Sequence, residues 1–276
     1  MSDNELTKKC ESAAKRIRRR IIDMTYHTGK TGAHLGGSLS LVELLACLYG
    51  GCIRFKTDEP SWEGRDRVIL SKGHAALALY PALVEAGIID ASELDTFKQD
   101  GSKLGGHPSL NGLSGIEFAS GSLGQGLSLG VGTAIALKRK TNLDSRVFVF
   151  LGDGECDEGS VWEAAASASH YGLNNLVAVV DMNAIQYDGP TTEVMDMSPI
   201  ENKWRDFGWN TIMVDGHSVP EILAAYAVRG EKPLVILAHT VKGKGISFME
   251  NNCKFHNAAL SDEQYKLAIE ELEKAI

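Results

Sequence analysis

An apolar run, Val147 to Leu151, ends abruptly in Gly152-Asp153-Gly154 and is followed by the acids Glu155, Asp157 and Glu158. A strand of consecutive bulky apolar residues has no polar face, so both of its faces must be covered. Such strands belong to parallel sheets lying between layers of helix. The rest of the chain repeats the pattern. Strands are predicted at 67–71, 146–151, 175–180, 210–214 and 233–240, each short, apolar and separated from the next by helical segments. The alternation predicts an α/β fold: one parallel sheet, helices on both faces, three layers. No repeat, low-complexity tract or linker interrupts the 276 residues, so a single domain over 1–276 is expected. A helix at about 4–28, capped by Asn4, opens it, and a helix at about 261–274 closes it. "SLSLVELLACLYGG" reads as a buried helix capped by Ser38 or Ser40 and stopped by Gly50 or Gly51.

Composition removes several classes of function. The net charge of -8 argues against a nucleic-acid or anionic-membrane binder. No apolar window is long enough for a membrane span. The charged N-terminus lacks the core of a signal peptide. Five cysteines, with no Cys-x-x-Cys pair, read as reduced thiols in a cytoplasmic protein.

In sheets of this kind ligands bind beyond the carboxyl ends of the strands. That rule singles out the residues after Leu70, Leu151 and Val180. The latter two precede "GDGECDEG" and "DMNAIQYDG", which bracket a single helix. The two strands are therefore expected to be joined by one crossover, with both loops at one sheet edge. Asp153 and Asn183, 30 positions apart, would meet there. A carboxylate and an amide oxygen are hard donors and suit Mg²⁺ or Ca²⁺ rather than zinc. Gly152 and Gly154 would let a phosphate approach the backbone, and the helix starting near Gly159 would turn its amides toward it. A plain Gly-Asp turn after a strand is the bland alternative; the paired Asn183 loop weighs against it.

Gly-Asp-Gly followed about thirty residues later by an Asn at the end of an apolar strand resembles the thiamine diphosphate motif. The resemblance implies that Asp153, the Asn183 side chain and the Ile185 carbonyl hold Mg²⁺ (or Ca²⁺ or Mn²⁺), with Gly154 beside the diphosphate. Met182 stands where the family often has Asn or Asp. Four further stretches are similar to transketolase: "TGAHLGGSLS", "GRDRVILSKGHAALALY", "GGHPSLNGLSGIEFASGSLGQG" and "HTVKGKGISFMENNCKFHNAAL". Ser122 departs from the usual Pro. The similarity runs from about residue 12 to 260 and implies a thiamine diphosphate-binding fold. It implies that His34, His107 and His256 act on the sugar, with His34 and His107 at the ketose hydroxyls. His74 and His256 would contact the diphosphate, and Gly121 and Leu123 the cofactor rings. Glu158, with Glu163, matches glutamates at the family's subunit interface; charge complementing a helix N-terminus is an equal reading. His27, His170, His217 and His239 read as structural or surface residues. The Lys242–Lys244 segment reads as a mobile loop over the site or as a solvated basic turn.

The resemblance implies ketol transfer between sugar phosphates, as in pentose phosphate metabolism. The family's ylid-forming glutamate belongs to a pyrimidine-binding domain that this chain is not expected to carry. A separate C-terminal subunit in an α2β2 assembly is therefore expected to complete the enzyme. Two alternatives stay open: a half of a 1-deoxyxylulose-5-phosphate synthase-like enzyme and a non-catalytic cofactor-binding paralogue. A nicotinamide-binding domain is more distant, because the first strand-turn-helix lacks Gly-x-Gly-x-x-Gly.

Overall fold

A computed structural model of the chain describes residues 2–140 and 144–274. The first helix, α1, spans Asp3–His27. Its cap is Ser2 rather than Asn4. The Ser2 hydroxyl accepts from the Glu5 amide, and the Glu5 carboxylate accepts from the Ser2 amide, closing a capping box. The buried segment after it breaks into α2 (Gly36–Leu39), α3 (Val42–Cys47) and a wide turn at Leu48–Cys52 that contains both Gly50 and Gly51. Neither serine caps a helix here. The Ser38 hydroxyl donates to the His34 carbonyl, and the Ser40 hydroxyl donates to the Asp181 carboxylate at 2.6 Å. The Ser38 bond is local, four residues back, whereas the Ser40 bond meets a tertiary demand that local pattern does not reveal.

Strand β1 (Arg67–Leu70) leads to α4 (Ala76–Glu85), which carries Pro81 inside it. The segment from Ala91 to Thr96 is a 3₁₀ turn with no serine cap. Helix α5 (Gly126–Arg139) precedes β2 (Val147–Gly152) and α6 (Gly159–His170). Strand β3 (Leu176–Met182) runs two residues beyond the predicted end and so includes Asp181. Short helices α7 (Thr191–Val194) and α8 (Ile200–Asp206) lead to β4 (Asn210–Asp215), α9 (Val219–Ala227) and β5 (Leu234–His239). The C-terminal helix α10 covers Asp262–Lys274.

The strands form one five-stranded sheet, all parallel, in the order β1-β2-β3-β5-β4. Alternate residues of each strand point to opposite faces. Phe148, Phe150, Val177 and Val179 pack with α1, α3, α4 and α9 on one face. Val147, Val149, Leu151, Ala178 and Val180 pack with α5, α6 and α8 on the other. The continuous apolar character of β2 and β3 follows from this double cover. Among the described residues no helix is long and apolar enough to cross a membrane.

Candidate active site

Because β1, β2 and β3 are parallel neighbours, the residues that follow them emerge together. Gly152 pairs with Asp181 in register, and the Asp153 amide donates to the Asp181 carbonyl at 3.1 Å. A cavity of about 150 Å³ opens above these ends. Asp153, Gly154, Asn183, Ile185, His74, Leu123 and His256 all line it.

The Asp153 side chain is nearly buried. Its carboxylate accepts from the Gly154 amide at 2.8 Å and from the Ala184 amide at 2.6 Å. The second bond holds Ala184 at φ 62°, a left-handed conformation costly for a residue with a side chain. That twist fixes the backbone between Asn183 and Ile185. Burial, with the nearby Asp181, pushes the Asp153 carboxyl up to about 6. An anionic group so confined favours a cation beside it.

Asn183 is held at both ends. Its amide nitrogen donates to Asp181 at 3.1 Å, and its oxygen accepts from the Ile185 amide at 3.2 Å. The Ile185 carbonyl receives the Lys242 ammonium at 2.6 Å. The donor set thus consists of hard oxygens, and one of them already attracts a positive charge. It fits a hard divalent cation. Gly154 completes the fit: a Cβ there would stand 2.9 Å from the Gln186 side chain, so only bare backbone can pass.

The motifs along the chain do not single out a second set of buried charges, of which Lys72 and Glu155 also line the cavity. Asp181 is fully buried. It accepts from Lys72 at 2.5 Å, from Ser40 and Asn183, and from the Thr240 hydroxyl. Burial opposes its charge, yet Lys72 and the hydroxyls hold the carboxyl below its ordinary range. Glu155 accepts from Ser71 and from the Gly124 and Gly152 amides, tying the loop before α5 to the end of β2. Burial raises its carboxyl. Sequence does hold a signal for two of these residues: Lys72 comes two residues after β1, and Asp181 is a lone charge extending an apolar run. At Gly124 the backbone has φ +79°, and a Cβ would lie 2.6 Å from the Ser160 hydroxyl, which requires glycine.

The four predicted histidines cluster at one side of the cavity, which His74 and His256 line. An antiparallel bridge between Ala33 and Ala258 joins the segments carrying His34 and His256. The His34 ring lies 5.5 Å from those of His74, His107 and His256, and the His74 and His256 rings are 5.2 Å apart. Burial lowers all four. His34 falls to about 4, helped by His107 and Lys98, and His74 to about 2, helped by Lys72. His256 falls to about 3, helped by Lys242, and His107 falls under burial and Lys98. All four imidazoles are therefore neutral near pH 7, each with one donor and one acceptor nitrogen.

Lys242 settles the reading of its turn. The side chain is buried and reaches both the Ile185 carbonyl and His256 Nδ1, the latter at 3.0 Å. The segment is therefore not a solvated basic turn. Of the predicted residues, His34, His107, Gly121, Glu158 and Glu163 are not among those lining the cavity. Gly121 sits beside the His107 ring, which a Cβ would meet at 3.6 Å. Glu158 is exposed at the start of α6, and Glu163 is exposed further along it.

Known proteins share this chain's sequence pattern and fold. The family described as "Transketolase, thiamine diphosphate binding domain" matches residues 10–273. The 6-deoxy-6-sulfo-D-fructose transketolase subunit SqwG of Clostridium sp. (strain MSTE9) is 44% identical over 250 residues, covering 89% of this chain and 90% of that protein. An apulose-4-phosphate transketolase subunit of Phocaeicola vulgatus is 39% identical over 269 residues, covering 96% and 94%. The transketolase structure from Campylobacter jejuni superposes with a TM-score of 0.88 at 30% identity, covering 99% of this chain and 43% of that one. The chain thus spans less than half the length of that transketolase. The chain belongs to the transketolase family, and the part it matches is the thiamine diphosphate binding domain.

Proposed function

We propose that this chain, as one diphosphate-binding domain over 1–276, is the N-terminal subunit of a two-chain, Mg²⁺-dependent transketolase. It would move a two-carbon ketol unit from a ketose donor to an aldose acceptor. The observation that carries the reading is that Asp153, Asn183 and Ile185 line one cavity together with His74 and His256, whose rings cluster with that of His34, itself beside His107. Two relatives of matching length are named as transketolase subunits, which supports a second chain.

When bound, thiamine diphosphate supplies the carbanion chemistry. This chain's residues bind and orient. Asp153, Asn183 and Ile185 would hold the cation, while the Gly154 backbone and His74 would border the diphosphate. Lys242 donates to His256 Nδ1, which leaves Nε2 as the ring nitrogen free for a substrate hydroxyl. His34 and His107, uncharged at pH 7, can exchange hydrogen bonds with the donor's hydroxyls and pass protons among them. Leu123 and Tyr187 line the cavity yet stay exposed, which supports a partner chain closing this rim. That partner would be a C-terminal, pyrimidine-binding subunit in an α2β2 assembly. Both relatives are named for sugars with an anionic end, a sulfonate or a phosphate, so an anionic ketose is the donor to try first. The five free cysteines suit the cytoplasm.

The test combines this chain with candidate partner chains, thiamine diphosphate and Mg²⁺, and follows ketol transfer. Transfer is expected only with a partner, and full turnover by this chain alone would overturn the two-chain reading. Pyruvate consumption with CO₂ release would point to 1-deoxyxylulose-5-phosphate synthase-type chemistry. Cofactor binding with no transfer by any pair would point to a non-catalytic paralogue. In the same assay Asp153→Ala should weaken Mg²⁺–diphosphate binding at least about 100-fold, since partners merely orienting metal ligands already cost about 10–100-fold.

A further inference from the structure

A chain of polar contacts runs from α1 to the cavity through groups that do not themselves line it. Arg18, buried on α1, donates through Nη2 to Glu43 Oε1 at 2.5 Å and through Nε to the Lys244 carbonyl at 3.0 Å. Glu43, buried on α3, accepts from His217 Nδ1 at 2.9 Å. His217 lies between β4 and α9, and its Nε2 accepts from the Val241 amide at 2.9 Å. Those two bonds define the tautomer: Nδ1 carries the proton and Nε2 the lone pair.

Arg18 and His217 therefore hold the 241–245 turn at two points, the Val241 N–H and the Lys244 carbonyl. Lys242 lies between them. The turn is also seated closely. Gly245 has φ +93°, and a Cβ there would come within 2.6 Å of Arg18 Cδ. The Gly243 amide donates to the Gly36 carbonyl at 3.0 Å, and the Lys242 carbonyl accepts from the Asn251 amide at 2.9 Å.

Stability is a weak reason to retain such a network. A buried ion pair is often no more stabilising than apolar residues of the same volume. Its geometry is what apolar residues could not reproduce, since it fixes one N–H and one carbonyl on either side of the lysine.

We infer that Arg18, Glu43 and His217 are positioning residues that fix the 241–245 turn, and so hold Lys242 against the Ile185 carbonyl and His256. The inference rests on the reading of the cavity as a cation–diphosphate site. His217, which sequence assigns to structure or surface, would then act on the site through Val241 and Lys242 without touching it.

The test uses the full chain and its His217→Ala and His217→Gln variants. Amide hydrogen exchange is followed across 241–250 and β3, and Mg²⁺ with inorganic diphosphate is titrated calorimetrically. In His217→Ala, exchange at 241–245 should quicken and diphosphate affinity should fall, each about tenfold, in the range of lost orienting partners. Protection in β3 should not change. His217→Gln keeps an acceptor for Val241 and should restore most of both. Unchanged exchange in His217→Ala overturns the inference, as does loosening of the turn only in step with β3. Should the alanine variant fail to fold, Glu43→Gln provides the same readouts at constant size. If the parent chain binds no diphosphate, the functional reading fails, and the exchange data alone decide the positioning role.

Discussion

The two ends of the sheet both bury charge but put it to different uses. At the amino end Asp66 accepts from the Arg54 amide at 2.8 Å and from the Arg146 amide at 2.7 Å. Arg146 turns back to the Tyr226 carbonyl at 2.6 Å and lies 4.8 Å from the Phe148 ring. Each of these groups is spent on backbone or on a ring of the same chain. At the carboxyl end Lys72 and Asp181 close on one another, but there Lys72 lines a cavity together with Asp153, Asn183 and Ile185. The pair supports that lining, since Asn183 bonds Asp181. The comparison teaches that buried charge is not itself the mark of a site. The mark is a donor set with room beside it.

The comparison can be broken by substitution. The largest effect is expected at Lys72. Lys72→Met leaves Asp181 buried without its cation, and breaking such a pair costs about 3–5 kcal/mol. Urea unfolding should register that loss, and Mg²⁺–diphosphate affinity should fall with it, because Asn183 hangs on Asp181. At the other end Asp66→Ala strips the acceptor from the buried Arg146 amide, at roughly 1–3 kcal/mol, and from the partly buried Arg54 amide, at less. Here the stability loss should come with unchanged diphosphate affinity in the molecules that remain folded. A change in affinity would mean that the two ends are coupled and the contrast is wrong.

A smaller effect is expected from pH. The four site histidines have folded pKa values below their ordinary value, so the unfolded chain binds more protons as pH falls through about 6.5. Each therefore contributes stability that is present above that pH and lost below it. Between pH 7 and about 6 the metal-free chain should become less stable. Asp153, raised to about 6, pulls the opposite way as the pH drops further. Thermal melting across this range should show the decline, and His74→Asn should flatten it. A flat profile in the parent chain would mean that the imidazoles are better solvated than their burial implies.

Much of the fold was legible because its signals are local. Doubly apolar strands separated by helices predict a parallel sheet, and the loops that follow such strands predict where a ligand sits. Asp153 and Asn183 could be paired on paper because successive parallel strands deliver their ends to one edge. The helix caps were less legible. Asn4 and Ser2 both suit an N-terminus, and only backbone geometry selects Ser2. Ser40 has a capping residue's chemistry but bonds Asp181, 141 positions away, and no local pattern contains that partner.

The sequence by itself determined the layer architecture and the strand-end motif, because apolar periodicity and spacing along the chain encode them, and its resemblance to transketolase singled out the four histidines. Tertiary structure decided that the rings of these histidines cluster, because their segments meet through strand order and the Ala33–Ala258 bridge. It also decided that Lys72, Asp181 and Lys242 are buried beside the oxygens. A lysine reads as surface until its neighbours supply a carboxylate or a carbonyl within hydrogen-bond reach, and those neighbours come from other strands.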